Sequence, residues 1–292
     1  MNETIFPYYP QFGSFIWAFF WKSGLQNYEI VGRSAYIIIY VISIFSLCSH
    51  QKLNDLEKFL FSIILIFLTY KVEHFTGYQD ILIFSFIIFS YILFENYKKN
   101  SNIINLIIFN LSIFILLWIK NEGIIAYFVF LVLFLLENKK NNSKLNLLIF
   151  LTLFSFLLFI KFIFFIDLNN ELVFQRGISI FNFFSNLISV EILIYKLLII
   201  LKFFLIKIFY IPLFLIFFVL IFFLQKIKKR EIIFFGLIFI LYSLPYLFSS
   251  DSTDQERIVW HLQTSYDRML LQCGAFLLPF VLKNLRSFIK YN

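Results

Sequence analysis

The sequence predicts an all-α protein, a polytopic transmembrane helical bundle of about nine spans. Hydrophobic residues make up 61% of the 292 residues, and only 14% are charged. Soluble domains carry about 25% charged residues, and a globule of this length needs a largely polar coat. The apolar residues also fall into stretches that approach the roughly 20 residues needed to cross a bilayer. We therefore expect lipid to surround much of the chain.

The predicted spans follow one another in a single transmembrane domain, residues 1–292. They cover residues 30–49, 58–70, 81–94, 103–119, 123–136, 145–166, about 208–224, 232–248 and 269–282. Several are short for a bilayer core of about 30 Å, so we expect them to extend into adjoining polar residues. The apolar stretch 178–207 is interrupted by charged residues and predicts a helix on the membrane surface, with a tenth span as the alternative. The aromatic segment 12–21 either dips into the membrane or follows a helix that the chain lacks.

The basic residues predict how the spans are oriented. When the connections are numbered alternately, one set contains 14 Lys and Arg residues and the other set contains seven. The positive-inside rule places the richer set in the cytoplasm and the N-terminus outside. Twelve of the 17 acidic residues and all four Trp residues then lie on or near the outer side. The site-like residues are therefore expected to face outward.

Several classes of function find no support in the sequence. Cys48 and Cys273 lie far apart in apolar surroundings without metal-ligand spacing, which favours a packing role. The chain has no dinucleotide fingerprint, phosphate-binding loop or nucleic-acid motif. The net charge of +8 is explained by cytoplasmic lysines and needs no nucleic-acid partner. No cofactor is evident, and the use of a divalent metal stays open.

The predicted outer connections carry mixed polar clusters, unlike the Lys- and Asn-rich cytoplasmic ones. Glu73 and His74, in the segment KVEHFTGYQD, are either water-facing loop residues or part of a binding site. Asp80, at the mouth of a span, is either a helix N-cap or a functional acid. Lys120 and Glu122 are either plain turn residues or functional groups. A turn in water does not need both charges beside an apolar run, which favours the functional reading.

The longest polar stretch is the predicted outer loop 249–268. His261, Ser265 and Arg268 in this loop are spaced at i, i+4 and i+7, so they share one helix face that enters the last span. Four of the six Arg residues lie on the outer side of a chain that otherwise prefers Lys. The Arg guanidinium offers a rigid fork that matches phosphate oxygens. This cationic face therefore suits a lipid phosphate.

Four short motifs resemble those of bacterial polytopic glycosyltransferases of the GT-C superfamily, the group of protein O-mannosyltransferases and lipid A aminoarabinose transferases. The segments Tyr8–Gln11 (YYPQ), Gly77–Ile81 (GYQDI), Lys120–Gly123 (KNEG) and Trp260–Arg268 (WHLQTSYDR) occur in the family's order. They are sparse patches spread over most of the chain. All of them lie on the predicted outer side.

This resemblance implies transfer of a sugar from a polyprenyl-phosphate donor to an acceptor outside the bacterial cytoplasmic membrane. Such a reaction needs a carboxylate to deprotonate the acceptor, cations to stabilise the departing phosphate, and a slot for the lipid. The candidate catalytic acids are Asp80 and Glu122. The candidate substrate-binding residues are Glu73, His74, Lys120, Arg176, Trp260, His261, Asp267 and Arg268.

The sequence departs from the family's pattern at its N-terminus. Members of the family begin with a helix and a first outer loop that bears the catalytic acid, whereas this sequence starts after both. We therefore expect an N-terminally incomplete enzyme or an inactive remnant of one.

Two other functions compete with the glycosyltransferase. A transporter or flippase of lipid-linked glycans would need polar residues near the middle of the membrane, and only Lys161, Lys202 and Lys207 approach this position. A non-catalytic membrane subunit would need no acid.

Overall fold

The chain is almost entirely α-helical in the parts that its computed structural model describes. These are residues 29–51, 53–70, 79–120, 122–138, 144–167, 190–208, 211–224, 229–247 and 255–291, with Gly13, Ile16, Ala18, Phe19 and Lys22. No strand occurs among them, which confirms the all-α prediction. The chain divides into two compact units, Met1–Phe164 and Phe165–Asn292.

Six helices of the described residues begin in the first unit. They are α1 Glu29–His50, α2 Asp55–Thr69, α3 Asp80–Lys99, α4 Ile103–Ile119, α5 Gly123–Asn138 and α6 Lys144–Asp167. Helix α3 contacts both α1 and α4, α4 also contacts α5, and α1 also contacts α2. Side-chain caps begin two of them. Asn54 and Glu57 form a reciprocal capping box at α2, and Asn102 accepts from the backbone N–H of Asn105 at α4.

Stacked aromatic rings connect α4, α5 and α6. The rings of Phe134 and Phe150 are 3.7 Å apart between centroids, and Phe109 stacks on Phe150 at 5.9 Å. Tyr127 stacks on Phe154 at 4.0 Å and donates its hydroxyl to the Phe154 carbonyl at 2.8 Å. These rings are buried, so interdigitated aromatic side chains hold the three helices together.

The turn between α4 and α5 requires glycine. A Cβ atom at Gly123 would collide with the backbone carbonyl of Leu116 in the last turns of α4. The Gly123 N–H donates to the Lys120 carbonyl at 2.9 Å, which closes the turn. The final residue of the KNEG motif therefore allows the two helices to approach closely.

Four helices of the described residues make up the second unit. They are α7 Val190–Ile208, α8 Pro212–Leu224, α9 Lys229–Leu247 and α10 Gln255–Tyr291. The long helix α10 has 37 residues and contacts the other three. Its first turns, from Gln255, contain most of the sequence predicted as the outer loop 249–268. Buried Lys196 of α7 donates to the Leu247 carbonyl at 3.2 Å, which satisfies a backbone acceptor at the end of α9.

Three helices in the described part of the chain are long and apolar enough to cross a membrane. They are Val31–His50, Asp80–Lys99 and Lys144–Lys161. Ile103–Ile119, Gly123–Glu137 and Glu231–Leu247 are apolar but shorter. Helices α7 and α8 are bent by 93° and pass the same test only as a pair. The described residues thus support a membrane-embedded helical protein with three candidate spans, and the count of about nine stays a prediction.

Candidate functional site

A buried ion triad lies where α3 begins and α4 ends. The Lys120 ammonium is 3.2 Å from Oδ1 and 3.4 Å from Oδ2 of Asp80, and 3.0 Å from Oε1 of Glu122. Side chains of Asp80 and Lys120 are 4% and 7% exposed, whereas that of Glu122 is 30% exposed. The triad therefore has a buried end at Asp80 and a more accessible end at Glu122.

The local sequence explains how these three side chains meet. Asp80 is the first residue of α3, Lys120 directly follows α4, and Glu122 lies in the turn before α5. Because α3 and α4 are neighbours joined at their other ends by a short connection, the start of one lies beside the end of the other. The tight turn at Gly123 then places Glu122 next to Lys120.

This geometry bears on the alternative interpretations of Asp80 and Lys120 as a helix N-cap and a plain turn residue. Gln79, not Asp80, is the N-cap of α3, so the interpretation of Asp80 as an N-cap is wrong. Lys120 is buried between two carboxylates, so it is not a plain solvent-facing turn residue. Removing one partner of a buried ion pair typically costs about 3–5 kcal/mol, because the other charge stays uncompensated. The folded positions of the GYQDI and KNEG motifs therefore depend on each other, because Asp80 of the first pairs with Lys120 of the second.

Glu122 retains one carboxylate oxygen with hydrogen-bonding capacity. Its Oε1 faces Lys120, but its Oε2 is buried and has no hydrogen-bond partner among the described residues. A buried acceptor without a partner costs about 1–3 kcal/mol, so a ligand that donates a hydrogen bond there would relieve this cost. Gln79, which directly precedes Asp80, has a buried amide oxygen that also lacks a hydrogen-bond partner among the described residues.

A second cation lies on a tryptophan ring in the same unit. The ammonium of Lys161, in α6, lies 5.1 Å from the ring centroid of Trp118, two residues before Lys120. A desolvated cation–π contact of this kind contributes about 2 kcal/mol. Lys161 is buried in a largely apolar helix. The sequence predicted that Lys161 lies near the middle of the membrane, but it did not indicate the contact with Trp118.

The second unit contains a separate polar cluster on α10. Asp267 Oδ2 accepts from the Lys207 ammonium of α7 at 3.0 Å. The hydroxyl groups of Tyr246 and Ser265 are 2.7 Å apart. Ser265, on the predicted cationic face of α10, is therefore hydrogen-bonded to α9. Arg268 is partly buried beside Asp267. The sequence pattern singled out Asp267, Arg268 and Lys207 but did not indicate that Lys207 pairs with Asp267, although a lysine within an apolar helix needs a counter-ion.

The remaining predicted site residues are only partly covered by the structure. Glu73, His74 and Arg176 lie outside the described residues, as does the side chain of His261. Trp260 is 59% exposed near the start of α10, where an aromatic ring can stack on a ligand or anchor at the interface. Asp80, Lys120 and Glu122 are thus the predicted residues that the structure brings into direct contact.

Among the described residues, no group of three or more His, Cys, Asp or Glu side chains is arranged to hold a metal ion. Comparison of the chain with models of protein families, with curated proteins and with solved structures finds no match. The chemistry of the site therefore follows from its residues. A lysine that holds two carboxylates in place, one of them partly accessible, can orient an acceptor hydroxyl and receive its proton.

Proposed function

We propose that the chain is a GT-C-like membrane glycosyltransferase that moves a sugar from a polyprenyl-phosphate donor to an extracytoplasmic acceptor. One observation carries this proposal. The GYQD and KNEG motifs are 40 residues apart, yet their charged side chains form a single buried triad. Motif residues that converge in space, rather than only in sequence order, are what a shared catalytic site requires.

In this proposal the two acids have different roles. Asp80 is almost fully buried and holds the Lys120 ammonium, so it acts as a positioning residue. Lys120 in turn orients the Glu122 carboxylate. The partly exposed Glu122 carboxylate accepts the proton of the acceptor hydroxyl as the hydroxyl oxygen attacks the anomeric carbon of the sugar. The bond between this carbon and the donor phosphate oxygen breaks, and polyprenyl phosphate departs with the bonding electron pair.

The departing phosphate needs cations near the membrane interface. We assign this role to His261 and Arg268, with Arg176 as a further partner, on the basis of the sequence pattern. Lys120 was also a candidate for phosphate binding, but its charge is already balanced by two carboxylates. Lys120 is therefore better suited to orient Glu122 than to bind the donor.

The arrangement in the membrane belongs to the same proposal. About nine spans, the positive-inside orientation and a bacterial cytoplasmic membrane place the site on the outer face, where lipid-linked sugars serve as donors. The three long apolar helices support the membrane location. The polar clusters beside Trp118 and Trp260 support a site at the level of the lipid headgroups.

Binding of a labelled short-chain polyprenyl phosphate to the purified chain in detergent tests the proposal. We expect Arg268→Ala to weaken binding by about ten- to a hundredfold, because a charge-assisted hydrogen bond contributes about 1.5–3 kcal/mol. Arg268→Lys should restore only part of the loss, since a point charge cannot replace two parallel hydrogen bonds. Arg257→Ala, the matched control in the acid-rich part of the same segment, should bind as the wild type does.

Equal affinity in all four proteins would remove the donor site from this face. A larger loss at Arg257 than at Arg268 would show that the other arginine binds the phosphate. Transport of a fluorescent lipid-linked sugar across proteoliposome membranes, without release of polyprenyl phosphate, would favour a flippase instead.

A further inference from the structure

An apolar cavity of about 240 Å³ lies among the four helices of the second unit. Every residue that lines it is Phe, Ile, Leu, Gly or Cys. Pairs of aromatic rings form its walls. Phe204 and Phe239 have centroids 4.0 Å apart, and Phe217 and Phe235 have centroids 4.5 Å apart. Apolar cavities exclude water, so hydrocarbon is a better occupant of this cavity than water.

The cavity opens on the side of α9. Gly236 and Ile232 line it and are both exposed. A Cβ atom added at Gly236 would meet no atom of the described residues within 4 Å. This opening faces the environment that surrounds an apolar helix, and in a membrane protein that environment is lipid.

The dimensions favour part of a chain over a whole small molecule. Pockets for drug-sized ligands measure roughly 300–1,000 Å³, which exceeds this volume. The lining on α10 runs from Leu270 to Leu277, which corresponds to roughly 10 Å along the helix axis. A narrow apolar space of this length fits a segment of one hydrocarbon chain.

An ion pair lies one helical turn from the cavity. Lys207 follows the lining residue Phe204 by three positions, and Asp267 precedes the lining residue Leu270 by three. This separation corresponds to roughly 4.5 Å along each helix. Lys207 donates to Asp267 Oδ2, while Asp267 Oδ1 is buried and has no hydrogen-bond partner among the described residues.

We propose that the cavity and this ion pair together bind one molecule of phosphatidylethanolamine. One acyl chain occupies the cavity. The headgroup phosphate accepts from the Lys207 ammonium, which has three donors and directs one of them to Asp267. The ethanolamine ammonium donates to Asp267 Oδ1, which supplies the partner that this oxygen lacks.

The charge pattern selects this headgroup. A cation and an anion 3.0 Å apart are complementary to a zwitterion, whose phosphate and ammonium are also neighbours. Phosphatidylglycerol and polyprenyl phosphates contribute only negative charge, and this charge would lie beside the Asp267 carboxylate. The pair therefore suits a zwitterionic lipid better than a polyprenyl phosphate, although Asp267 is also a candidate substrate-binding residue, and lipid binding here does not require sugar transfer.

Native mass spectrometry of the full chain tests the proposal. The protein is purified from bilayers that contain equimolar phosphatidylethanolamine and phosphatidylglycerol with identical acyl chains. We expect one retained lipid, with phosphatidylethanolamine favoured by roughly tenfold or more. Asp267→Asn should bring this ratio close to one. Gly236→Leu should remove the retained lipid, because it adds a side chain at the opening, where a Cβ atom meets no atom of the described residues within 4 Å.

Ile240→Phe is the matched control, since Ile240 is exposed on the same helix and does not line the cavity. It should retain lipid as the wild type does. The two test variants act independently, so the failure of one to fold leaves the other informative. Equal retention of both lipids by the wild type, or unchanged retention by Gly236→Leu, would overturn the proposal. Tighter retention of added polyprenyl phosphate than of phosphatidylethanolamine would also overturn it.

Discussion

Lys120 holds two carboxylates that come from different parts of the chain. Its contact with Asp80 joins the start of α3 to the end of α4, and its contact with Glu122 joins the end of α4 to the turn before α5. A buried ion pair is weak evidence for stability, because desolvation offsets much of the Coulomb attraction. Its presence in a chain with only 14% charged residues therefore favours a functional role.

Removal of either charge of the buried pair should lower the thermal unfolding temperature of the purified protein. We expect Lys120→Met to reduce the free energy of unfolding by about 3–5 kcal/mol, because it leaves the buried Asp80 carboxylate uncompensated. Asp80→Asn should reduce it less, because Lys120 still faces Glu122. The double variant should lose less than the sum of the two single losses, because the buried Asp80 carboxylate that Lys120→Met leaves unpaired is then absent.

Asp55→Asn is the control for these variants, because Asp55 forms an exposed ion pair with Lys58. It should leave the unfolding temperature unchanged. Strictly additive losses for Asp80→Asn and Lys120→Met would show that the two side chains do not interact in the folded protein.

The residues of the site were predictable from the sequence, but their contacts were not. Asp80, Lys120 and Glu122 attract attention because charges are rare here and because each lies beside an apolar run. Their pairing depends on which helices are neighbours, which hydrophobic periodicity does not specify. The ion pair between Lys207 and Asp267 was missed for the same reason, since its partners are 60 positions apart.

At the scale of helices, apolar run length predicted most boundaries. The fourth predicted span, 103–119, coincides with α4, and 30–49 differs from α1 by one residue at each end. The largest departure concerns α10, which begins at Gln255 rather than near 269. Its first turns are polar, so a search for apolar runs could not detect them. The helical spacing of His261, Ser265 and Arg268 was the available signal.

Aromatic packing should dominate the stability of the α4–α6 arrangement. Phe150 is fully buried and stacks on Phe134, whereas Phe159, on the same helix, is 60% exposed. We expect Phe150→Ala to cost about 3–5 kcal/mol through lost contacts and a residual cavity. Phe159→Ala, which removes the same atoms from an exposed face, should change the unfolding temperature much less.

Thermal unfolding in detergent, followed by intrinsic fluorescence, measures both variants. Similar losses for Phe150→Ala and Phe159→Ala would contradict the packing of α6 against α5. The two substitutions have the same chemistry, so differences in helix propensity do not enter the comparison.

At the scale of the whole molecule, composition indicates a membrane environment and the charge distribution predicts an orientation. Apolar side chains are exposed along several helices, as expected where lipid replaces a polar surface. Three helices of the described residues have the length and composition of spans. Apolar runs alone do not fix the number of spans, because some of them form helices shorter than the three candidate spans.

Single cysteines introduced into connections should report the orientation. We expect Ser143→Cys and Lys228→Cys to be shielded from an impermeant thiol reagent in intact cells, and Thr253→Cys to be labelled. The connections that contain Ser143 and Lys228 belong to the set richer in Lys and Arg, which the positive-inside rule places in the cytoplasm. A background with Cys48 and Cys273 replaced by Ser serves as the unlabelled control. Labelling of Ser143→Cys without labelling of Thr253→Cys would reverse the orientation.

The separation of Asp80 from Lys120 also constrains biosynthesis. Lys120 leaves the ribosome 40 residues after Asp80, a delay of roughly 2–8 s at ordinary rates of synthesis. During that interval α3 carries a carboxylate without its counter-ion. Transfer of α3 into lipid becomes more favourable when α4 follows and supplies Lys120. The smallest part of this chain that can enter the bilayer with Asp80 neutralised by Lys120 is therefore the pair of α3 and α4, so we expect the insertion machinery to hold α3 until its partner emerges.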